Sequence, residues 1–198
     1  MKRRMVLAGA AATALLAACG KEGAKAPGGS NAAAAPGSAA VSLEKIEAEA
    51  KGFNVGSTMN QRTLYVFFDA QCPHCAVMWD AAKPLKPQAR FVWIPVGLLG
   101  DKSFSQGGAI LAAGDPVAAM DQHELSMRNK QGGITAVGVA EAQKEIVRKN
   151  TQLFTSFGLN GVPAIVGKHA QTGQLVTVDG SLPAAALAQR FGLQAPGG

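Results

Sequence analysis

Cysteine is scarce in this chain, with three in 198 residues, and histidine is equally so. A structural zinc site built on one Cys-x-x-C pair needs two more ligands. There is no second Cys-x-x-C, and His123 and His169 remain as the soft candidates for the missing ligands. The sequence therefore offers no complete zinc set. Charge of one sign is also thin. The formal net charge is +6, and Lys2, Arg3 and Arg4 account for half of it. No basic block with interleaved aromatics occurs, which argues against nucleic acid as a partner. No internal repeat is visible, and the longest apolar stretch, Met5 to Ala18, is too short to span a bilayer comfortably.

What is present is concentrated in one tetrapeptide. Cys72-Pro73-His74-Cys75 follows the apolar run Leu64 to Phe68. If the run is a strand and a helix begins at Pro73, Cys72 sits where unpaired N–H groups and the helix dipole favour a thiolate. Pro73 suits the first helical position because its missing N–H would have had no partner. Cys75 falls one turn on, on the same face, within reach of a disulfide with Cys72. An imidazolium at His74 is expected to stabilise the Cys72 thiolate further. A stabler thiolate makes a more reducible, more oxidising disulfide.

The N-terminus reads as an export signal, with a basic start, an apolar stretch and small residues at its end. Leu16-Ala17-Ala18-Cys19-Gly20 resembles the lipobox of bacterial lipoproteins. That resemblance implies acylation of Cys19 and a lipid anchor, with Gly20 pointing to the outer membrane; an ordinary secretory signal is the alternative. Both place the protein in an oxidising compartment such as the periplasm, where a dithiol is a disulfide catalyst or a structural bridge. Acylated Cys19 would also explain the odd cysteine count. The organisation expected is a signal peptide over 1–18, a Gly/Ala/Pro-rich tether over 19–40, and one domain over 41–198. The tether would reach about 25 Å.

Within that domain the pattern gives a short helix over Val41 to Lys51 and a turn region from Gly52 to Gln61. A strand over Leu64 to Phe68, a helix from Pro73 carrying Val77, Met78 and Ala82, and a strand over Phe91 to Val96 then form a β-α-β unit with parallel strands. Helices over Gly107 to Ala113 and Pro116 to Met127 follow, the second capped by Asp115. After a Gly132-Gly133 break, the longest helix runs from Val139 to Phe157, with Ala142, Ile146, Leu153 and Phe157 on its inner face. His123 reads as a partly exposed surface residue and His169 as a turn residue. A hairpin, Ala164 to Gly167 with Gln174 to Val178, and a helix over Pro183 to Phe191 close the chain. This is the order of an α/β thioredoxin-like fold with a helical insertion between its β-α-β and β-β-α halves.

The stretch Leu64 to Cys75, with Asp69 three residues before the first cysteine, is similar to the active-site region of the DsbC/DsbG thiol:disulfide interchange proteins. The similarity continues through Gly108 to Pro116 and Asn160-Gly161-Val162-Pro163-Ala164. It implies a cis peptide before Pro163, facing the redox pair, with Val162 and Pro163 positioning the substrate chain. Three features depart from the family. Val162 replaces a threonine, His74 matches the oxidase DsbA, and only a tether and one short helix stand where the family has a dimerisation domain, so a monomer is expected. Val66, six residues before Cys72, replaces the buried acid of thioredoxin and DsbA, as it does in the DsbC/DsbG branch.

The function expected is thiol:disulfide exchange with cysteines of exported proteins, leaning towards oxidation. Cys72 is the nucleophile, Cys75 resolves, and His74 and Pro73 tune the site; no cofactor and no metal are required. A DsbB-like or DsbD-like membrane partner would reset the pair. The alternatives are an isomerase or reductase kept reduced by a membrane donor and, in another class, a lipoprotein carrying copper(I) on the two thiolates.

Overall fold

Ser42 opens the first helix, its hydroxyl accepting the Lys45 N–H at 3.1 Å, and α1 spans Leu43–Glu49. The computed structural model describes residues 39–56 and 59–197. The signal segment 1–18, Cys19 with Gly20, and the tether through residue 38 lie outside the described residues. After α1 come β1 (Phe53–Val55), β2 (Thr63–Asp69), α2 (Pro73–Ala82) and β3 (Arg90–Val96). Three helices follow, α3 (Asp101–Ala112), α4 (Pro116–Arg128) and α5 (Glu141–Ser156), and then β4 (Ala164–Lys168), β5 (Leu175–Asp179) and α6 (Ala184–Phe191). None of the described helices is long and apolar enough to cross a membrane.

The strands form one sheet in the order β1-β3-β2-β4-β5. Only β2 and β3 run parallel, pairing Leu64 with Phe91 and Phe68 with Pro95. β2 lies at the centre and is buried on both faces, as a continuous apolar run requires. Its alternation splits the core. Leu64, Val66 and Phe68 pack with Cys72, Cys75, Met78 and Trp79 on one side. Tyr65 and Phe67 pack with Ile46, Leu153 and Phe154 on the other.

The structure departs from the sequence reading in five places. The supposed turn after Gly52 contains β1, a strand too short to show a period; it exists through pairing with β3, and Phe53 packs edge-on to Phe68 with centroids 6.2 Å apart. α3 starts at Asp101, six residues before the expected Gly107. In α5 the buried face is Val147, Asn150, Leu153 and Phe154. Ala142 is exposed and Ile146 only half-buried, so the stripe is rotated towards Asn150, which binds the Lys51 and Pro95 carbonyls at 2.8 and 3.0 Å. Val77 of α2 is 55% exposed. His123 is wholly buried rather than superficial.

One carboxylate ties the ends of β2 and β3 together. Asp69 closes β2 with no exposure. Its Oδ1 accepts from the Gln71 N–H at 2.8 Å and the Ser103 hydroxyl at 2.6 Å. Its Oδ2 accepts from the N–H groups of Leu98 and Leu99 at 2.6 and 3.0 Å. The β2–α2 turn is thereby fastened to the β3–α3 connection and to α3. Asp69→Ala would strand the buried Ser103 hydroxyl, at a cost on the order of 1–3 kcal/mol, and release three part-buried backbone N–H groups that water can partly satisfy. Urea unfolding is expected to show a loss of about 2–4 kcal/mol, with Asp69→Asn losing less. A loss below about 1 kcal/mol for the alanine variant would show that the knot is not structural.

Candidate active site

Cys72 is the N-cap residue of α2, in extended conformation with φ −90° and ψ 115°, and Pro73 occupies the first turn. The Cys75 N–H donates to the Cys72 carbonyl at 3.0 Å, which starts the helix. Cys72 is 7% exposed and Cys75 is fully buried. Both are free thiols.

The two sulfurs have opposite acidities. The Cys72 thiol is pushed down to about 6, chiefly by the hydrogen bond from the Cys75 thiol; the backbone N–H groups of Cys75 and His74 add to this, and burial opposes it. The charge of His74 is the smallest of these causes. His74 is expected from the sequence to stabilise the thiolate further, and it does so only weakly because it is exposed and water screens its charge. Burial holds the Cys75 thiol well above its ordinary value, reinforced by its bond to Cys72 and by the Cys72 and Glu124 charges; an Asp69 backbone contact opposes the shift.

Opposite the pair, the Val162–Pro163 peptide is cis. The Cys72 thiol donates to the Val162 carbonyl at 3.4 Å, a contact open only to the protonated form. Val162 is half-buried and Pro163 buried. Thus Cys72, Pro73, His74, Cys75, Val162 and Pro163 are brought together, while Cys19 lies outside the described residues. His169 sits in the β4–β5 turn, where its carbonyl accepts the Gly173 N–H at 2.9 Å.

Sequence reasoning missed the α4 side of the site. His123 Nδ1 accepts the Ile134 N–H at 3.2 Å. Its Nε2 therefore carries the proton and donates to the Ala70 carbonyl at 2.6 Å. Burial lowers its pKa, so the ring is a neutral strut. Gly133, with φ +87°, lies so close that a Cβ there would stand 2.4 Å from His123 Cε1. The Gly132-Gly133 break was legible, but nothing in it announced a packing surface. Gln71 Nε2 donates to Gln106 Oε1, and Gln106 Nε2 donates to the Gly132 and Ile134 carbonyls, both at 2.8 Å. Beside His123, Glu124 is 1% exposed, with no hydrogen-bond partner at Oε2. Its position inside α4 gave no sequence signal, because a lone acid on a helix reads as solvated.

A β-α-β and β-β-α sheet with a dithiol at the start of its first crossover helix, faced by a cis-proline loop, defines a dithiol domain of thioredoxin-like fold. The Thioredoxin-like domain family matches residues 54–194, and the chain belongs to that family. It is 31% identical over 114 residues to the thiol:disulfide interchange protein DsbG of Pseudomonas aeruginosa, covering 56% of this chain and 43% of that protein. To DsbG of Escherichia coli it is 33% identical over 106 residues, covering 52% and 42%. The chain thus spans less than half the length of these curated relatives. The catalytic domain of Proteus mirabilis ScsC superposes with a TM-score of 0.59 at 17% identity, over 75% of this chain and 93% of that one. That last likeness is one of fold.

Ultraviolet titration of thiolate in the reduced protein is expected to give a Cys72 midpoint near about 6. Cys75→Ala removes the leading donor and should raise that midpoint more than His74→Ala does; the reverse order would overturn the ranking. The linked stability has a defined sign. A folded value lowered from 9.0 to about 6 stabilises the reduced fold fully above 9.0 and is lost as pH falls through about 6. Cys75, raised above 9.0, adds nothing within that window. Melting of reduced relative to oxidised protein should therefore decline as pH falls from about 9 through about 6.

Proposed function

We propose that this chain is an exported, lipid-anchored thiol:disulfide oxidoreductase that passes its Cys72–Cys75 disulfide to cysteines of other exported proteins. The observation that carries this reading is the split between the sulfurs, with Cys72 near the surface and held down to about 6 while burial holds Cys75 protonated. A substrate thiolate attacks Cys72 Sγ, and the Cys72–Cys75 bond breaks with its electron pair on Cys75, which takes a proton. A second substrate thiolate then attacks the substrate sulfur of the mixed disulfide, and Cys72 departs as a thiolate. Two electrons have entered the protein, and the substrate holds the disulfide.

A low-pKa thiolate is the better leaving group, which supports the oxidising direction. A value of about 6 lies below the value of about 7 typical of thioredoxin sites. Pro73 fits the helix start that favours the thiolate, and His74 makes the smaller electrostatic contribution. The backbone of Val162 stands beside the sulfur, where an extended substrate segment would pair with it next to Pro163. Segment 1–18 acts as export signal, Cys19 carries the lipid, Gly20 directs the outer-membrane destination, and 19–40 is the tether to the periplasmic domain over 41–198. A DsbB-like membrane partner would withdraw the electrons. A DsbD-like donor would instead keep the pair reduced for isomerisation or reduction.

Cys75→Ser is expected to accumulate mixed disulfides with exported proteins on non-reducing gels, and Cys72→Ser few or none. Equal trapping by both variants would refute the division of labour. Acid quenching and alkylation in cells should find the wild-type pair mostly oxidised; a mostly reduced pair would transfer the reading to the isomerase or reductase.

A further inference from the structure

Two carboxylates are fully or almost fully buried among the described residues, Asp69 and Glu124. Asp69 is saturated by four donors. Glu124 is not, since its Oε2 is buried and unpartnered, and an unsatisfied carboxyl is a costly thing to keep inside a core. Its surroundings are defined by two clamps on α4. One turn before it, Asp121 accepts from Trp79 Nε1 of α2 at 2.7 Å. Immediately before it, His123 grips the Ala70 carbonyl, two residues from Cys72, at 2.6 Å. These clamps hold α4 along α2, with Glu124 one turn past the Asp121–Trp79 bond as Cys75 is one turn before Trp79; the Glu124 charge is a lesser cause of the raised Cys75 value. On β2 the residues facing the dithiol core are Leu64, Val66 and Phe68, and the one acid of that strand, Asp69, is committed to its four donors.

The geometry points to Glu124 as the buried proton acceptor and donor for Cys75 in thiol:disulfide exchange. The inference rests on the function proposed above and adds the group that moves the proton. When a mixed disulfide joins Cys72 to a partner, the Cys75 proton passes to the Glu124 carboxylate. The Cys75 sulfur then attacks Cys72 Sγ, the Cys72–partner bond breaks, and the partner leaves as a thiolate carrying the negative charge. In the reverse direction Cys75 departs from Cys72 and takes its proton from the Glu124 carboxyl. One negative charge is conserved throughout.

The charge balance explains why the residue suits the step. In the resting reduced protein, burial pushes Glu124 up to about 8, helped by Asp80 and the Cys72 charge and opposed by Arg128 and Lys83. Consuming the Cys72 thiolate in a mixed disulfide removes one of the lesser causes of that rise, so the carboxyl becomes more acidic when Cys75 must ionise. Of the other elements packed on α4, β1 carries no charge, and α3 has Asp101 and Lys102 at exposed positions.

The test uses the reduced full chain and glutathione disulfide, with acid quenching and intact-mass analysis to time mixed-disulfide formation at Cys72 separately from resolution by Cys75. Glu124→Gln is expected to slow resolution about tenfold to a hundredfold near neutral pH and to abolish the inflection in its pH profile, which falls below about 8 once the Cys72 charge is consumed. Mixed-disulfide formation should change less than about threefold, because Glu124 is not asked to move a proton in that step. Glu124→Asp should give an intermediate rate with the inflection retained, and it carries the test if the glutamine variant does not fold.

Stability supplies an independent readout. A carboxyl whose folded value is raised from 4.5 to about 8 contributes stability that is complete below 4.5 and lost as pH rises through about 8. Glu124→Gln should therefore melt higher than wild type at the alkaline end. Resolution that keeps the wild-type rate and inflection in Glu124→Gln, or a slowing shared equally by both steps, overturns the assignment while leaving the dithiol chemistry standing. A wild-type chain that forms no mixed disulfide with glutathione overturns the parent function itself.

Discussion

The carboxylate of Asp69 is the constraint on which the site depends. It stands at the end of the central strand and collects four donors from three separate stretches of chain. Two are backbone groups of the loop after β3, one belongs to the turn that leads into Cys72, and one to Ser103 at the start of α3. A buried charge of this kind is tolerable only when every lone-pair direction is used. Because it is used, the turn preceding α2 cannot drift relative to the sheet. The helix start therefore arrives where the N–H groups of His74 and Cys75 can act on the Cys72 sulfur.

The site distributes charge by position rather than by residue type. Two identical thiols one helical turn apart end with opposite acidities, because one caps the helix near solvent and the other lies beneath it. The hydrogen bond between them reinforces the split, stabilising the Cys72 thiolate and binding the proton more tightly to Cys75. His74, the imidazole of the motif, contributes least because it is exposed. The inserted helices do more. α4 supplies the neutral His123 strut, the Asp121 clamp on Trp79 and the buried Glu124, while α3 supplies Ser103 and Gln106.

Much of the fold was readable because it obeys local periods. The run Leu64 to Phe68 announced a strand buried on both faces, Asp115-Pro116 announced a helix start, and Gly158 stands after α5 as expected. The reading failed where a local pattern was too short or two patterns competed. The three residues of β1 show no period. In α5, a face drawn through Ala142 and Ile146 missed the buried polar Asn150, whose value lies in bonds to Lys51 and Pro95 across the fold. His123 has no ligand partner within a turn on its own helix, so its true partners, Ala70 and Ile134, were invisible to any local rule.

The sequence by itself determined the Cys72 and Cys75 pair, its place at a helix start after a buried strand, and the order of elements, because each depends on neighbours within a few residues. Tertiary structure decided the relative importance of the groups around that pair. Asp69 becomes a knot, His74 a minor influence, His123 a strut and Glu124 a buried acid only once distant segments are brought together, since desolvation and hydrogen-bond partnership are properties of the packed core rather than of the chain.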